Sequence, residues 1–244
     1  MEFAARCDRG LIREKNEDSY NIIFGHENVP VTFIIADGMG GHNSGEIASK
    51  TAVDYISRAM LEFPEKKVEN KDIALYIKQI IEKANDEVLS VSKERVENYG
   101  MGTTLIVASA WDNNLYIGHV GDSRLYLIRE GKIQRVTTDH SYIEELVKNG
   151  TLTREEAENH PQKNIITRAL GCFEEIIVDT YICEIRDGDY FVLCTDGLTN
   201  MLSENEIKDI VLSADNPEFA CDTLIRKANE NGGEDNITVI VIKN

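Results

Sequence analysis

The stretch Thr32-Phe33-Ile34-Ile35-Ala36-Asp37-Gly38-Met39-Gly40-Gly41-His42 constrains this chain more than any other. Five apolar or β-branched residues run without a charge into an acid, and a glycine follows the acid at once. The run has the length of a buried strand and falls far short of a membrane span. Asp37 therefore sits where a buried strand surfaces, and Gly38 leaves its backbone carbonyl unshielded by any side chain. A carboxylate beside a bare carbonyl suits a hard cation such as Mg²⁺ or Mn²⁺. The same device recurs at Tyr190-Phe191-Val192-Leu193-Cys194-Thr195-Asp196-Gly197. One strand ending in Asp-Gly is weak evidence, because many turns start that way. Two of them, with further acids at strand ends elsewhere, point to a site.

The 244 residues are 42% hydrophobic and 28% charged, as expected of a soluble globular chain able to bury a sizeable core. A formal net charge of −17 argues against nucleic acid as a partner, since phosphate backbones need a basic footprint. Part of the excess acid serves solubility. Another part is expected to converge and to need a cation. Met1-Glu2-Phe3-Ala4-Ala5-Arg6-Cys7 lacks the apolar core of a signal peptide, and no apolar stretch reaches membrane length, so a cytoplasmic monomer without membrane insertion is expected. The five cysteines (7, 172, 183, 194, 221) form no C-x-x-C pair and read as reduced packing residues. The five histidines are equally dispersed, which gives His-based metal binding little support.

No linker, low-complexity segment or fixed-period repeat divides the chain, and 1–244 reads as one domain. Strands are expected at 1–6, 20–24 and 31–36, the first two flanking a polar loop, Arg13-Glu14-Lys15-Asn16-Glu17-Asp18. Ser44 or Gly45 opens a helix with Ile47, Ala48, Ala52, Ile56, Ala59 and Met60 on one side. A second helix is expected from an N-cap at Asn70, with a core stripe of Ile73, Ile77, Ile80, Ala84, Val88 and Val91. Strands at 103–110, 114–120, 124–129 and 132–136, with turns at Asp112-Asn113-Asn114 and Glu130-Gly131, read as an antiparallel meander. Residues 138–173 are polar, with helical pieces at 141–149 and 153–159, and a segment of that kind in a compact domain is usually functional or mobile. Strands return at 176–185 and 189–195, with Asp187-Gly188-Asp189 as a hairpin turn between them. Ser203-Glu204-Asn205-Glu206 is a capping box for a helix to about 213. Asn216-Pro217 opens a last helix, Gly232-Gly233 stops it, and 237–243 closes the chain as a strand.

Asp18, Asp37, Asp122, Asp196 and Asp235 all lie beside predicted strand ends, with Glu17 adjacent to the first. Antiparallel strands bring such ends to one edge of a sheet, where like charges repel unless cations intervene. Oxygen-only ligation sets zinc aside. Two hard cations about 3.5–4 Å apart share a carboxylate and a water and lower the pKa of that water toward neutrality, which suits hydrolysis of a phosphate ester. Arg13, five residues before Asp18, offers a planar fork to a phosphate; by itself it would be read as a surface residue.

Arg13-x-x-Asn16-Glu17-Asp18, Asp37-Gly38-Met39-Gly40-Gly41, Met101-Gly102-Thr103-Thr104, Gly118-His119-Val120-Gly121-Asp122-Ser123-Arg124, His160-Pro161-x-x-Asn164, Asp196-Gly197 and Gly233-x-Asp235-Asn236 stand in this order along the chain. In that order they resemble the metal-dependent Ser/Thr protein phosphatases of type 2C, in particular the compact bacterial branch, over essentially the whole chain. The resemblance implies an α+β fold, a four-layer α-β-β-α sandwich with two antiparallel central sheets, forming a single catalytic domain. It implies two tightly bound Mn²⁺ or Mg²⁺ ions and a third, weaker one. Asp37 would bridge the first two, Gly38 would lend its carbonyl to one, and Asp196 and Asp235 would hold the other. Glu17 and Asp18 would act directly or through water, Asp122 would support the third ion with Asp196, and Asn236 would orient the neighbouring ligand. Arg13 would bind the substrate phosphate, and 138–173 would be a flap beside the cleft. Animal members carry a histidine after the first Asp-Gly as proposed general acid; here Met39 takes that place, as is common in the bacterial branch. A metal-bound water or His42 is then the candidate proton donor.

The implied activity is hydrolysis of phosphoserine and phosphothreonine in proteins, opposing Ser/Thr kinases, one of which is an expected partner. The alternatives are a hydrolase of small phosphate esters on the same site and a non-catalytic metal-dependent binding module. A phosphate-cradling loop at Gly38-Met39-Gly40-Gly41 is excluded, because no Gly-Lys-Ser/Thr follows and the third glycine of a dinucleotide fingerprint is absent.

Overall fold

Strands buried on both faces decide the architecture. In β3 (Val31–Met39) Phe33 and Ile35 face one way, Ile34 and Ala36 the other, and all four are fully buried. An antiparallel sheet with no wet face must be covered on both sides. The structure is a computed structural model that describes residues 1–40, 44–63, 73–158 and 160–244. One sheet runs β1 (Glu2–Asp8), β11 (Ile237–Lys243), β10 (Tyr190–Cys194), β7 (Arg124–Arg129), β8 (Lys132–Arg135). The other runs β2 (Asp18–Ile23), β3, β5 (Leu105–Trp111), β6 (Asn114–Val120), β9 (Asp179–Glu184), with β4 (Gly102–Thr103) paired to the end of β3. All described pairings are antiparallel.

Phe33, Ile35, Ile106 and Ile117 of one sheet meet Leu125, Phe191, Leu193 and Ile240 of the other in a central core. The opposite face of the β3 sheet carries α1 (Gly45–Leu61) and α2 (Ile73–Glu94), through Ala48, Ile56, Ile77 and Val88. The opposite face of the β11 sheet carries α6 (Glu204–Ser213) and α7 (Pro217–Glu230), through Ile207, Val211, Leu224 and Ala228. The result is the expected four-layer α-β-β-α sandwich. The capping box at Ser203 and the Asn216 cap before Pro217 both form as the sequence indicates. The N-cap expected at Asn70 lies outside the described residues.

Four expectations need correction. β2 starts at Asp18, two residues earlier than predicted, which sets Asp18 directly opposite Asp37 on β3. The strand predicted at 103–110 is interrupted: Gly102 and Thr103 pair with Met39 and Gly38, and a separate strand begins at Leu105. The predicted meander divides between the two sheets, because Gly121-Asp122-Ser123 carries the chain from β6 in one to β7 in the other. Asp187-Gly188-Asp189 is likewise a crossing from β9 to β10 and not a hairpin turn. Both crossings follow from the need to fill two sheets that share one core.

Candidate metal centre

The end of the sandwich where β2, β3 and β10 terminate gathers the predicted acids. Asp18 and Asp37 are cross-strand partners at the adjoining ends of β2 and β3. The backbone of Asp37 is stapled on both sides: its N–H donates to Thr104 Oγ1 (2.9 Å), and its carbonyl accepts from Thr104 N–H (2.9 Å) and Thr103 Oγ1 (2.9 Å). Thr104 Oγ1 also bonds Ser123 Oγ at 2.8 Å, tying the Asp37 turn to the Asp122 crossing. Gly38 has no room for a side chain, since a Cβ would collide with Gly45 O and sit 2.6 Å from Glu17 O. That close approach brings Glu17 and the start of α1 against the end of β3.

Asp196 opens a short helix, α5 (Asp196–Thr199), directly after β10, and its carboxylate accepts from Asn200 Nδ2 at 3.1 Å. Asp235 lies just before β11 and accepts from Arg13 Nη2 at 2.7 Å. Asn236 works chiefly on the loop that carries Arg13. Its Nδ2 donates to the carbonyls of Arg9 and Lys15, both at 2.9 Å, and its Oδ1 accepts from Glu17 N–H at 2.8 Å. Gly10, at φ +76°, lets this loop press on the 233–235 turn, where a Cβ would meet Asp235 O. Met39 is the last residue of β3, opposite Gly102. His42 and Gly41 lie outside the described residues.

The carboxylates act on one another. Burial comes first in raising the Asp37 carboxyl well above the usual range, followed by the charges of Asp18, Asp196, Asp122 and Asp235. Asp18 is pushed up to about 7 by burial and, beyond that, by Asp196 and Asp235, while two hydroxyl donors oppose the shift. Asp122 rises to about 8 through burial and repulsion from Asp196 and Asp139. Asp196 is raised by burial and by Asp235, an effect opposed by its hydrogen bonds with Asp37 and Asn200. Burial and the neighbouring Glu46 raise Glu17. Among the described residues no group of three or more His, Cys, Asp or Glu side chains is already arranged to hold a metal ion. The donor set nevertheless fits a hard cation: every group offers oxygen, and Asp18 Oδ1 and Asp122 Oδ1 are buried without a hydrogen-bond partner.

A cleft of about 1000 Å³ opens from Asp122 and Asp196 toward the 138–173 segment, reaching Arg124, Lys163 and Asn164. That segment, which carries α3 (Tyr142–Lys148) and α4 (Arg154–Glu158), is anchored by charge: Asp139 holds Arg124 and Arg135, and Glu144 holds Arg135 and Arg154. A smaller cleft of about 580 Å³ between β1 and α7 includes none of the clustered acids, and Arg6 there is already paired with Glu218 and Asp222. His119 is fully buried, stacked on His140 at 4.7 Å and held neutral by burial, which lowers its pKa to about 3, so it packs and does not titrate near neutrality. The sequence places Thr103 and Thr104 in a motif without a role and gives no role to Thr195 and Thr238, yet their hydroxyls hold the acids or their backbone. The available signal was a lone hydroxyl inside an apolar run, as in Ile237-Thr238-Val239-Ile240, because a buried polar group needs a partner.

The sequence pattern of the family described as Protein phosphatase 2C matches residues 13–231. The serine/threonine phosphatase stp of Listeria monocytogenes is 40% identical over 243 residues, spanning 100% of this chain and 96% of that protein. The crystal structure of the serine/threonine phosphatase Stp1 from Staphylococcus aureus superposes with a TM-score of 0.92 at 34% identity, covering 100% of this chain and 95% of that one. The catalytic domain of the serine/threonine protein phosphatase PstP, solved in complex with two manganese ions, gives 0.84 at 33% identity, covering 98% and 96%. With four layers, acids gathered at one end of the sandwich and these similarities along its whole length, the chain belongs to the protein phosphatase 2C family.

Proposed function

We propose that the acidic end of the sandwich holds two Mn²⁺ or Mg²⁺ ions and that this chain there hydrolyses phosphoserine and phosphothreonine in proteins. The protein is a metal-dependent serine/threonine protein phosphatase. One observation carries the assignment of the site: acids from five separate segments act on one another, several with raised pKa values and two with orphaned oxygens, where Asp122 and Asp196 line a large cleft and Asp235 pairs with Arg13. Asp37 would serve both ions, Gly38 would lend its carbonyl to one, and Asp196 and Asp235 would hold the other. Glu17 and Asp18 would contribute directly or through water, and Asp122 with Asp196 would support a third, weaker ion. When bound, the cations polarise a water for attack on phosphorus and neutralise phosphate charge. Arg13 orients the phosphate with its fork of donors, and Asn236 fixes the loop from which Arg13 reaches. The leaving seryl or threonyl oxygen needs a proton, and His42 is the nearest side-chain candidate in sequence.

Residues 1–244 act as one catalytic domain, with 138–173 as the flap that selects among substrates. The substrates are phosphorylated proteins, a Ser/Thr kinase among them, met by a cytoplasmic monomer. Among the described residues no helix is long and apolar enough to cross a membrane. Release of phosphate from a phosphothreonine peptide, with and without Mn²⁺, tests the assignment. Chelation abolishes turnover and Mn²⁺ restores it; full turnover by chelator-treated protein would show the metal assignment to be wrong. A free nucleotide at matched concentration is the control for small phosphate esters and should be the poorer substrate.

A further inference from the structure

Asp18 is tied to the opposite sheet through one of its two oxygens. Thr238, in β11, donates from Oγ1 to Asp18 Oδ2 at 2.6 Å, and Thr195, just after β10, donates to the same oxygen at 3.0 Å. Both threonines are fully buried. Each hydroxyl has a single proton, and the surroundings fix where it goes. Thr195 Oγ1 accepts from Thr238 N–H at 3.0 Å, so its own proton is directed to Asp18. Thr238 Oγ1 also contacts Cys7 Sγ at 3.0 Å, but the shorter bond to the carboxylate takes its proton. On the other side of the residue, Asp18 N–H donates to Asn16 Oδ1 at 3.1 Å, and Asn16 Nδ2 donates to Cys7 Sγ at 3.0 Å. Asp18 Oδ1, by contrast, is buried with no partner among the described residues. A carboxylate with two donors on one oxygen and none on the other is oriented for a ligand that the rest of the ring does not supply.

We propose that Thr195 and Thr238 are positioning residues of the metal centre, occupying Oδ2 of Asp18 so that Oδ1 alone is presented to a cation, directly or through a water. The proposal rests on the metal centre inferred above. The competing role is purely architectural: the same two hydroxyls fasten the β10–β11 sheet to β2.

The two roles separate in Mn²⁺ binding to the full chain, stripped by chelation and titrated by calorimetry, with thermal melts to confirm folding. Thr238→Val removes a donor and leaves no backbone group stranded. It weakens Mn²⁺ binding about tenfold or more, the usual effect of losing an outer hydrogen-bond partner of a ligand. Thr238→Ser keeps the hydroxyl and binds Mn²⁺ as wild type does. Thr195→Val weakens binding in the same direction and lowers the melting temperature further, because Thr238 N–H loses its acceptor. In an Asp18→Asn background Thr238→Val has no additional effect, since the carboxylate it serves is gone. Where a valine variant does not fold, the alanine variant at the same position decides. A folded Thr238→Val that binds Mn²⁺ like wild type overturns the proposal, as does an undiminished loss in the Asp18→Asn background. Wild-type protein that binds no Mn²⁺ overturns the metal centre itself; normal wild-type binding with unaffected variants overturns only the positioning role.

Discussion

Among the described residues Arg13 has one ion-pair partner, Asp235, and both side chains are partly in water at 51% and 32% exposure. A pair of that kind contributes roughly 0–1 kcal/mol to stability. A charge-assisted bond to a bound phosphate is worth more, about 1.5–3 kcal/mol. Arg13→Ala is therefore expected to leave the melting temperature nearly unchanged while lowering kcat/KM on a phosphothreonine peptide roughly ten- to a hundredfold. Steady-state kinetics beside a thermal melt checks both halves, and an unchanged kcat/KM would leave Arg13 with no task beyond Asp235. Asp122 behaves differently. Its Oδ1 has no partner to strand and burial disfavours its charge, so Asp122→Ala should fold at least as well as wild type. It should retain about two ions per chain, by analogy with two-metal sites, while losing turnover on phosphopeptides. Calorimetric metal counts paired with rates test this, and wild-type turnover would return Asp122 to the role of a turn residue. Asp37, Asp122 and Asp196 were legible in the sequence because an acid closing an apolar run is costly unless it has a use. Thr195 and Thr238 were harder to read, because a lone hydroxyl in or beside an apolar run calls for a partner without saying which acid supplies it.

Elements were legible wherever local chemistry determines them: the capped helices α6 and α7 and the period of the α2 stripe appear where the sequence places them. Which sheet a strand joins is not local. Turn residues at 121–123 and 187–189 look alike whether the next strand pairs with the last one or crosses to the other sheet. What identifies the second crossing is long-range: Asp189, 1% exposed, takes two bonds from Arg129, at 2.8 and 2.6 Å, and Arg129 also donates to Glu184 O. Through the bond to Glu184 O, Arg129 pins the end of β7 in one sheet to the end of β9 in the other. Burial works to raise the Asp189 carboxyl, but the hydrogen bonds and charge of Arg129 and Arg186 prevail and hold it below its ordinary value. The sign follows from linkage. A carboxyl depressed in the folded state contributes stability above its unfolded pKa of about 3.9, and that contribution is lost as pH falls through the folded value. Asp189→Asn is expected to cost roughly 1–3 kcal/mol near neutrality, less than for a fully buried pair because Arg129 remains 26% exposed. The gap in melting temperature between wild type and variant should then narrow below about pH 4. A constant gap from pH 6 to pH 2 would assign the loss to packing.

For the whole molecule the acidic end has a thermodynamic consequence that the four-layer core must bear. The chain carries a net charge of −17, and burial together with repulsion among the gathered acids raises Asp18, Asp37, Asp122 and Asp196 above the ordinary carboxyl range. Without cations this repulsion opposes folding. With them, a ligand that binds only the folded state adds stability of RT ln(1 + [L]/Kd), about 2.7 kcal/mol at a hundredfold excess over Kd. The melting temperature of chelator-stripped protein should therefore climb steadily with Mn²⁺, well beyond any change produced by the same ionic strength of Na⁺. Asp37→Asn makes the test specific, because Asp37 is the acid on which the other four charges act. Removing its charge relieves repulsion, so the metal-free variant should melt above metal-free wild type. The same change removes the proposed bridging ligand, so the variant should gain much less from Mn²⁺ and the two melting curves should cross as the metal is titrated. A variant that starts lower and gains as much as wild type would mean that Asp37 stabilises the fold without holding the ions.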